Sequence, residues 1–369
     1  MIRLLTICFF IVIAYGPCAL KREEALTKTG ATNVFPELGV KQRLQQSVTR
    51  GDEKNASNVT PFRMLNNRQG GIVFPASLCY SDSGGLYISD NNGQKIEYWP
   101  ADSSTARVLP TEATEGKLKF PNTIQWSSTR RILVTDNDGI KMFSAEGHFE
   151  RLIRSYLGIS SFTITDKGTI LANTLIRSPD KDDPLIVEIE QGGKQVRGFG
   201  IRRNIAGHNG AEDIAFLALS ETFLFAAFKH HPTVEIYHIE SGRLLQSLTI
   251  DHPVLRDLQK ELTSEGFSED EQHGRVFVPR YLAGIRVVDN RIFLCLHLPQ
   301  PEIWELDQKG NRLAEFRISG LPPAVDVFGF DVRLDKGNLL FAVGIIDQRW
   351  NATVSETKIT PQLTKRSTI

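Results

Sequence analysis

The sequence predicts an all-β chain folded as a six-bladed β-propeller, with four-stranded antiparallel blades and a small helical insertion. Three features lead there. A hairpin pattern recurs at a period in the forties, two further strand-like runs precede each hairpin, and Gly/Ser/Asp/Asn clusters separate the runs.

The hairpins read QKIEYWPADSSTARVL (94–109), DGIKMFSAEGHFERLI (138–153), PLIVEIEQGGKQVRGF (184–199), PTVEIYHIESGRLLQSL (232–248) and PEIWELDQKGNRLAEF (301–316). Each is a β-rich run, a polar turn and a second strand. Anchored on Ile96, Ile140, Ile186, Val234 and Ile303, the intervals are 44, 46, 48 and 69 residues. The last is longer because residues 251–274 intervene. There PVLRDLQKEL carries Val254, Leu255, Leu258 and Leu262 at helical spacing, and polar TSEGFSEDEQHG follows. This is an insertion in one blade, placed to cap the channel, to meet a partner, or to be solvated.

The second strand of each unit reads LYISD (86–90), ILVTD (132–136), TILAN (169–173), FLFAAF (223–228), IFLCLH (292–297) and LLFAVG (339–344). Several are apolar on both faces, as suits a strand covered on both sides by neighbouring blades. The runs before them, FPASLCY, FPNTIQW, ISSFTIT, AEDIAFLA, AGIRVVD and FGFDVRL, are the innermost strands and line the channel. A ring must close, since an open one exposes strand edges. VTPFRML (59–65) is expected to complete the sixth blade beside TVSETKI (353–359).

Outside the repeat, MIRLLTICFFIVIAYG pairs a cation at Arg3 with an apolar run of about 12 residues, Leu4–Tyr15. That length suits a secretory signal and falls short of the roughly 20 residues of a membrane span. The expected organisation is a signal peptide over 1–19, a polar linker over 20–58, the propeller over 59–360 and a tail over 361–369. The chain is then secreted or extracytoplasmic and monomeric, with no transmembrane span after cleavage. Cys18 opens a lipoprotein reading, which Pro17 fits poorly. Cys79 and Cys295 sit in apolar runs and read as small buried hydrophobes. Asn55, Asn58 and Asn351 head Asn-x-Ser/Thr sequons. Lys plus Arg and Asp plus Glu each number 43 in 369 residues, without a dense basic run, which argues against nucleic acid as a partner.

With FP at blade starts and the unit strand–(L/I)xxSD–x–I–x–x–(W/F)–turn–G, residues 60–360 resemble the NHL-type, TolB-like six-bladed propellers. That resemblance implies a fold shared by binders, lyases, lactonases and scaffolds. It also implies a shared channel face, formed by turns entering the innermost strands and turns joining second and third strands. On that face fall Asn91, Asn92, Asn122, Asp136, Asn137, Ser160, Ser161 and Asn173 from blades one to three. Blades four to six add His208, Asn209, Glu212, Asp213, Lys229, His230, His231, Arg280, Tyr281, His297, Asp326 and Asp347. Loop ends are polar in any case, so most of these are expected to be solvated.

The favoured reading is a binding module or scaffold for a protein, peptide or carbohydrate ligand, with no cofactor. Tyr281 and Phe328 would supply apolar contact beside Arg280. Two enzyme alternatives follow from the resemblance. Gluconolactonase- and paraoxonase-like propellers hold calcium with innermost-strand oxygens, and Asn122 and Asp213 occupy two such positions. FPASL offers no carboxylate at the corresponding place in blade one, and Ser161 replaces an Asn, although Asn173 lies near. Amidating-lyase-like propellers hold zinc on channel histidines, here His208, His230 or His231, and His297. The strings GFG, SDSGG and DNDG are turns of the repeat rather than phosphate, protease or calcium motifs. His238 falls at the far end of the third strand from His230 and His231, about 20 Å away for a strand of that length.

Overall fold

The computed structural model describes residues 57–66, 71–103, 105–111, 115–155, 158–175, 183–203, 211–264 and 279–360. The leader over 1–19, the linker up to residue 56, His208, Asn209, Asn55, the insertion beyond 264 and the tail over 361–369 lie outside the described residues.

Two short strands open the described chain, β1 (Ser57–Val59) and β2 (Arg63–Asn66). Blade one is β3 (Pro75–Tyr80), β4 (Leu86–Asp90), β5 (Lys95–Trp99) and β6 (Arg107–Val108). Blade two is β7 (Ile124–Trp126), β8 (Arg131–Asp136), β9 (Gly139–Ser144) and β10 (Phe149–Ile153). Blade three is β11 (Gly158–Ile164), β12 (Ile170–Leu175), β13 (Ile186–Ile189) and β14 (Gln195–Phe199). Blade four is β15 (Ala215–Leu219), β16 (Phe223–Phe228), β17 (Thr233–His238) and β18 (Leu244–Thr249). Blade five is β19 (Leu282–Val288), β20 (Arg291–Leu296), β21 (Glu302–Leu306) and β22 (Arg312–Ile318). Blade six is β23 (Ala324–Asp335), β24 (Asn338–Asp347) and β25 (Ala352–Ile359).

The ring closes as expected: β2 pairs antiparallel with β25, Arg63 opposite Glu356, and supplies the outer strand of blade six. The sequence did not show that β1 also adds to blade five, parallel to β22. Six apolar clusters fill the seams, each drawing side chains from two neighbouring blades. Strand alternation explains the doubly apolar second strands. In β8, Ile132 and Val134 face blade one while Leu133 faces blade three.

The recurrent E-x-(W/Y) of the third strand has a physical basis. Residues two apart on a strand share a face, so the aromatic reaches back to the carboxylate. Trp99 donates Nε1–H to Glu97 at 3.2 Å, Trp304 to Glu302 at 2.6 Å, and the Tyr237 hydroxyl to Glu235 at 2.5 Å. An Arg on the fourth strand or nearby completes several of these sites, as Arg317 does at Glu302 and Arg203 at Glu235.

The insertion begins as helix α1 (Pro253–Ser264), between the last strand of blade four and the first of blade five. Its Val254, Leu255 and Leu258 are buried in the seam between those blades, and His252 accepts the Val254 amide at its N-terminus. The helical part of the insertion is thus packed on the channel-face end of the ring. Cys79 and Cys295 are buried and unpaired. Among the described residues, no helix is long and apolar enough to cross a membrane.

Candidate functional site

Ladder register sets the positions around the channel mouth. Ser89, Thr135, Asn173, Ala227 and Cys295 stand opposite Ile96, Ile140, Ile186, Val234 and Ile303. Asn173 therefore lines up with Ser89 and Thr135, one residue earlier than its place in the LYISD/ILVTD/TILAN pattern. Two residues further on come Asn91, Asn137, Leu175, Lys229 and His297.

From blade one to the start of blade four, these polar groups hold backbone. Asp90 accepts the amides of Val73, Phe74 and Gly93, each at 2.9 Å. Asp136 accepts those of Phe120 at 2.7 Å, Asn137 at 2.9 Å and Lys119 at 3.0 Å, and pairs with buried Lys141 at 2.8 Å. Burial opposes ionisation of Asp136, but Lys141 and those amides outweigh it and hold its pKa below the usual range. Asn173 is fully engaged. Its Nδ2 donates to Leu185 O at 3.2 Å and Asp213 O at 3.0 Å, and its Oδ1 accepts from Ala215 N at 3.0 Å and from Ser160 Oγ. Ser161 Oγ donates to Ala215 O, and Asn91 Nδ2 to Pro121 O at 3.1 Å. Asn91, Ser161 and Asn173 are blade-to-blade staples, while Asp90 and Asp136 tie down turns of their own blades, so the expectation of solvated loop ends fails for these residues: a carbonyl or amide needs a partner wherever water is excluded.

Asp213 belongs with them. Fully buried on a short 3-10 turn (Ala211–Asp213), it accepts Arg203 N at 2.8 Å and pairs with Arg202 at 3.4 Å. Burial raises its pKa against those two partners. Glu212 is buried beside it, and Asn122 is exposed on blade two. Calcium takes six to eight oxygen ligands, and a carboxylate already held by an amide and a guanidinium does not fit that demand. Among the described residues no three His, Cys, Asp or Glu side chains gather as a metal group.

Blades four to six differ. Asp326 starts blade six beside a register slip between Ala324 and Asp326, a bulge of the kind that re-aims a side chain. One of its oxygens pairs with Arg280 Nη1, the other with His297 Nε2 at 2.5 Å. Arg280 also lies 5.3 Å from the Phe328 ring, which packs on Phe74 at 4.1 Å. His230 Nδ1 is 2.7 Å from Pro279 O; a carbonyl only accepts, so Nδ1 carries the proton and Nε2 the lone pair. Burial, reinforced by Lys229 and Arg280, keeps that imidazole neutral. Lys229 extends β16 beyond Phe228, its amide on Ile214 O at 2.8 Å. Phe225 and Ala227 face the seam with blade five, and alternation turns Lys229 the same way. Burial and the nearby Arg280 lower its pKa to about 7, against the pull of Asp326.

The remaining candidates divide. Tyr281 is buried in the blade four–five cluster, with its pKa raised to about 12 by burial, so it does not form the exposed aromatic rim expected of it. Its amide donates to Lys229 O at 2.8 Å and its carbonyl accepts His297 N at 2.9 Å, which makes it the spacer between those residues. His231 is half-buried at the start of the β17 turn, and Asp347 holds its own turn through Asn351. His238 lies at the opposite end of β17, as expected, with its ring on Ser241. Arg202 and Arg203, which fix Asp213, follow no repeat and carried no sequence signal.

Neither a protein-family model nor a curated protein sequence matches the chain. Among solved structures it is similar to a Bacteroides fragilis protein described as exported, at 10% identity and TM-score 0.54, covering 83% of this chain and 99% of that one. It is also similar to the calcium-binding protein regucalcin of Agrobacterium tumefaciens, at 11% identity and TM-score 0.52, covering 83% and 97%. A gluconolactonase of Xanthomonas campestris matches at 15% identity and TM-score 0.50, covering 80% and 89%. The likeness establishes the fold: this is a six-bladed β-propeller. It carries no ligand or reaction across.

Proposed function

We propose that this propeller is a ligand-binding module whose site is the channel-mouth sector of blades four to six, and that it takes an anionic peptide or sugar acid. One observation carries the reading. Lys229, His230, Arg280, His297 and Asp326 come from three blades and meet at one place; of the five only His230 is tied to backbone, through Nδ1 on Pro279 O, while Arg280 and His297 bond Asp326 and Lys229 lies in the field of Arg280 and Asp326. Arg280 engages Asp326 through Nη1 and keeps further N–H donors for a bidentate anion, with Phe328 as an apolar wall. Membership in the NHL-type, TolB-like group, supported by the FP blade starts, and export, supported by MIRLLTICFFIVIAYG, belong to the same reading.

Equilibrium binding of acidic peptides and uronic-acid oligosaccharides to the full-length chain tests it. Arg280→Met is expected to weaken the best ligand at least about tenfold. Equal affinity of native protein and variant for every anion would sink the reading.

A second reading keeps the same residues and adds turnover. It is favoured by the His297–Asp326 hydrogen bond beside a lysine poised near neutrality, the pairing that proton transfer uses. Lactone hydrolysis by native protein but not by Lys229→Met would support it; binding without turnover would leave the first reading alone.

A further inference from the structure

We propose that Lys229 captures carbonyl ligands: its amine condenses with the ketone or aldehyde of a small acid whose carboxylate is held by Arg280. This rests on the channel-face reading above and gives the chemical class of its ligand.

Geometry isolates the amine. Lys229 is half-buried, faces the blade four–five seam, and makes no hydrogen bond or ion pair to another described side chain. The groups that face it are Arg280 from the turn into blade five, Asp326 from blade six and His230 from its own turn, with His297, just past β20, facing His230 and bonded to Asp326. Asp326 is clasped by Arg280 and His297, so its charge is shared before it reaches the lysine. A paired lysine would be held as ammonium and inert. Here burial and a neighbouring guanidinium do the reverse, and about half of the side chain is amine at neutral pH. For an ordinary surface lysine the amine fraction is about one in a thousand or less. Desolvation beside another cation is a general route to a nucleophilic lysine.

The step balances without any oxidant or reductant. The Nζ lone pair adds to the carbonyl carbon while the C=O π pair moves to oxygen. The two nitrogen protons pass to that oxygen, which leaves as water, and a C=N bond remains. Arg280 alone would hold a carboxylate lacking a carbonyl, reversibly and without a covalent bond.

The test uses the full-length chain with pyruvate and borohydride at pH 7, followed by peptide mapping by mass. Lactate serves as the carbonyl-free match. The expected result is a reduced adduct at Lys229 formed about tenfold faster than at any other lysine. It is slowed by Arg280→Met, suppressed by lactate and absent at that position in Lys229→Arg, which keeps the charge. Labelling spread evenly over the lysines overturns the inference. Arg280-dependent lactate binding without an adduct at Lys229 overturns it too, while leaving the binding reading intact. Neither binding nor labelling overturns both.

Discussion

The two sides of the channel mouth use similar residue types for opposite purposes. From blade one to the start of blade four, Asp90, Asp136, Asn173 and Asp213 are taken up by backbone groups and buried cations. From Lys229 to Asp326, side chains bond or face each other at the mouth. A carboxylate tied to three amides is a structural part, because moving it strands those amides. A carboxylate tied to two side chains can exchange one of them for a ligand.

The largest effect expected is at Asp136→Ala, which strands the amides of Lys119, Phe120 and Asn137 and leaves buried Lys141 only Lys117 O and the more distant, exposed Asp138 at 3.4 Å. It should cost about 3–5 kcal/mol, read from the urea midpoint at unchanged slope. An Asp136→Leu, Lys141→Met double variant should recover only the ion-pair part of that, because the amides of Lys119, Phe120 and Asn137 remain without their acceptor. Next comes Asn173→Ala, which strands the buried Asp213 carbonyl and Ala215 amide. A loss of about 2–3 kcal/mol is expected, and a loss below about 1 would remove the staple argument.

Acid acts on the two sides through groups of opposite charge. The folded pKa of Asp136 is depressed, so its contribution is complete above its unfolded pKa of about 4 and fades as pH falls through the folded value. Native protein should therefore lose stability below about pH 4 more steeply than Asp136→Asn. Lys229 has the opposite sign. With its folded pKa lowered to about 7 from an unfolded value of about 10.4, the unfolded chain binds more protons between them and stability rises with pH across that window. Lys229→Met should thus be more stable than native protein below pH 7, with the gap closing toward pH 10. A gap independent of pH would place the ammonium in water.

Smaller still is Arg280→Met: about 1 kcal/mol or less in stability, since the pair is partly solvated, alongside the loss of ligand affinity. At the far end of β17, His238→Ala should stay within about 0.5 kcal/mol and leave binding unchanged. Any effect of His238 on binding would join two ends of the ring that the fold separates.

The architecture was legible because it repeats. Ile96, Ile140, Ile186, Val234 and Ile303 do mark equivalent third-strand positions, and VTPFRML does close the ring. The site was legible only as a ring of loop-end residues. Nothing local distinguishes Asp213, clamped by Arg202 and Arg203, from Asp326, clasped by Arg280 and His297. Their partners lie in other segments of the chain, and a register step of one residue moved Asn173 from the mouth into a seam. Tyr281 misled for a related reason: its position after Arg280 suggested a rim, but alternation turns its ring into the apolar cluster beneath.

The sequence by itself determined the all-β class, the blade count, the closing strand and the insertion. Each follows from short-range periodicity and from the rule that edges and apolar faces must be covered. Only the tertiary structure decided which polar residues serve the fold and which face a ligand. That choice depends on burial and on partners from distant segments, which local sequence does not encode.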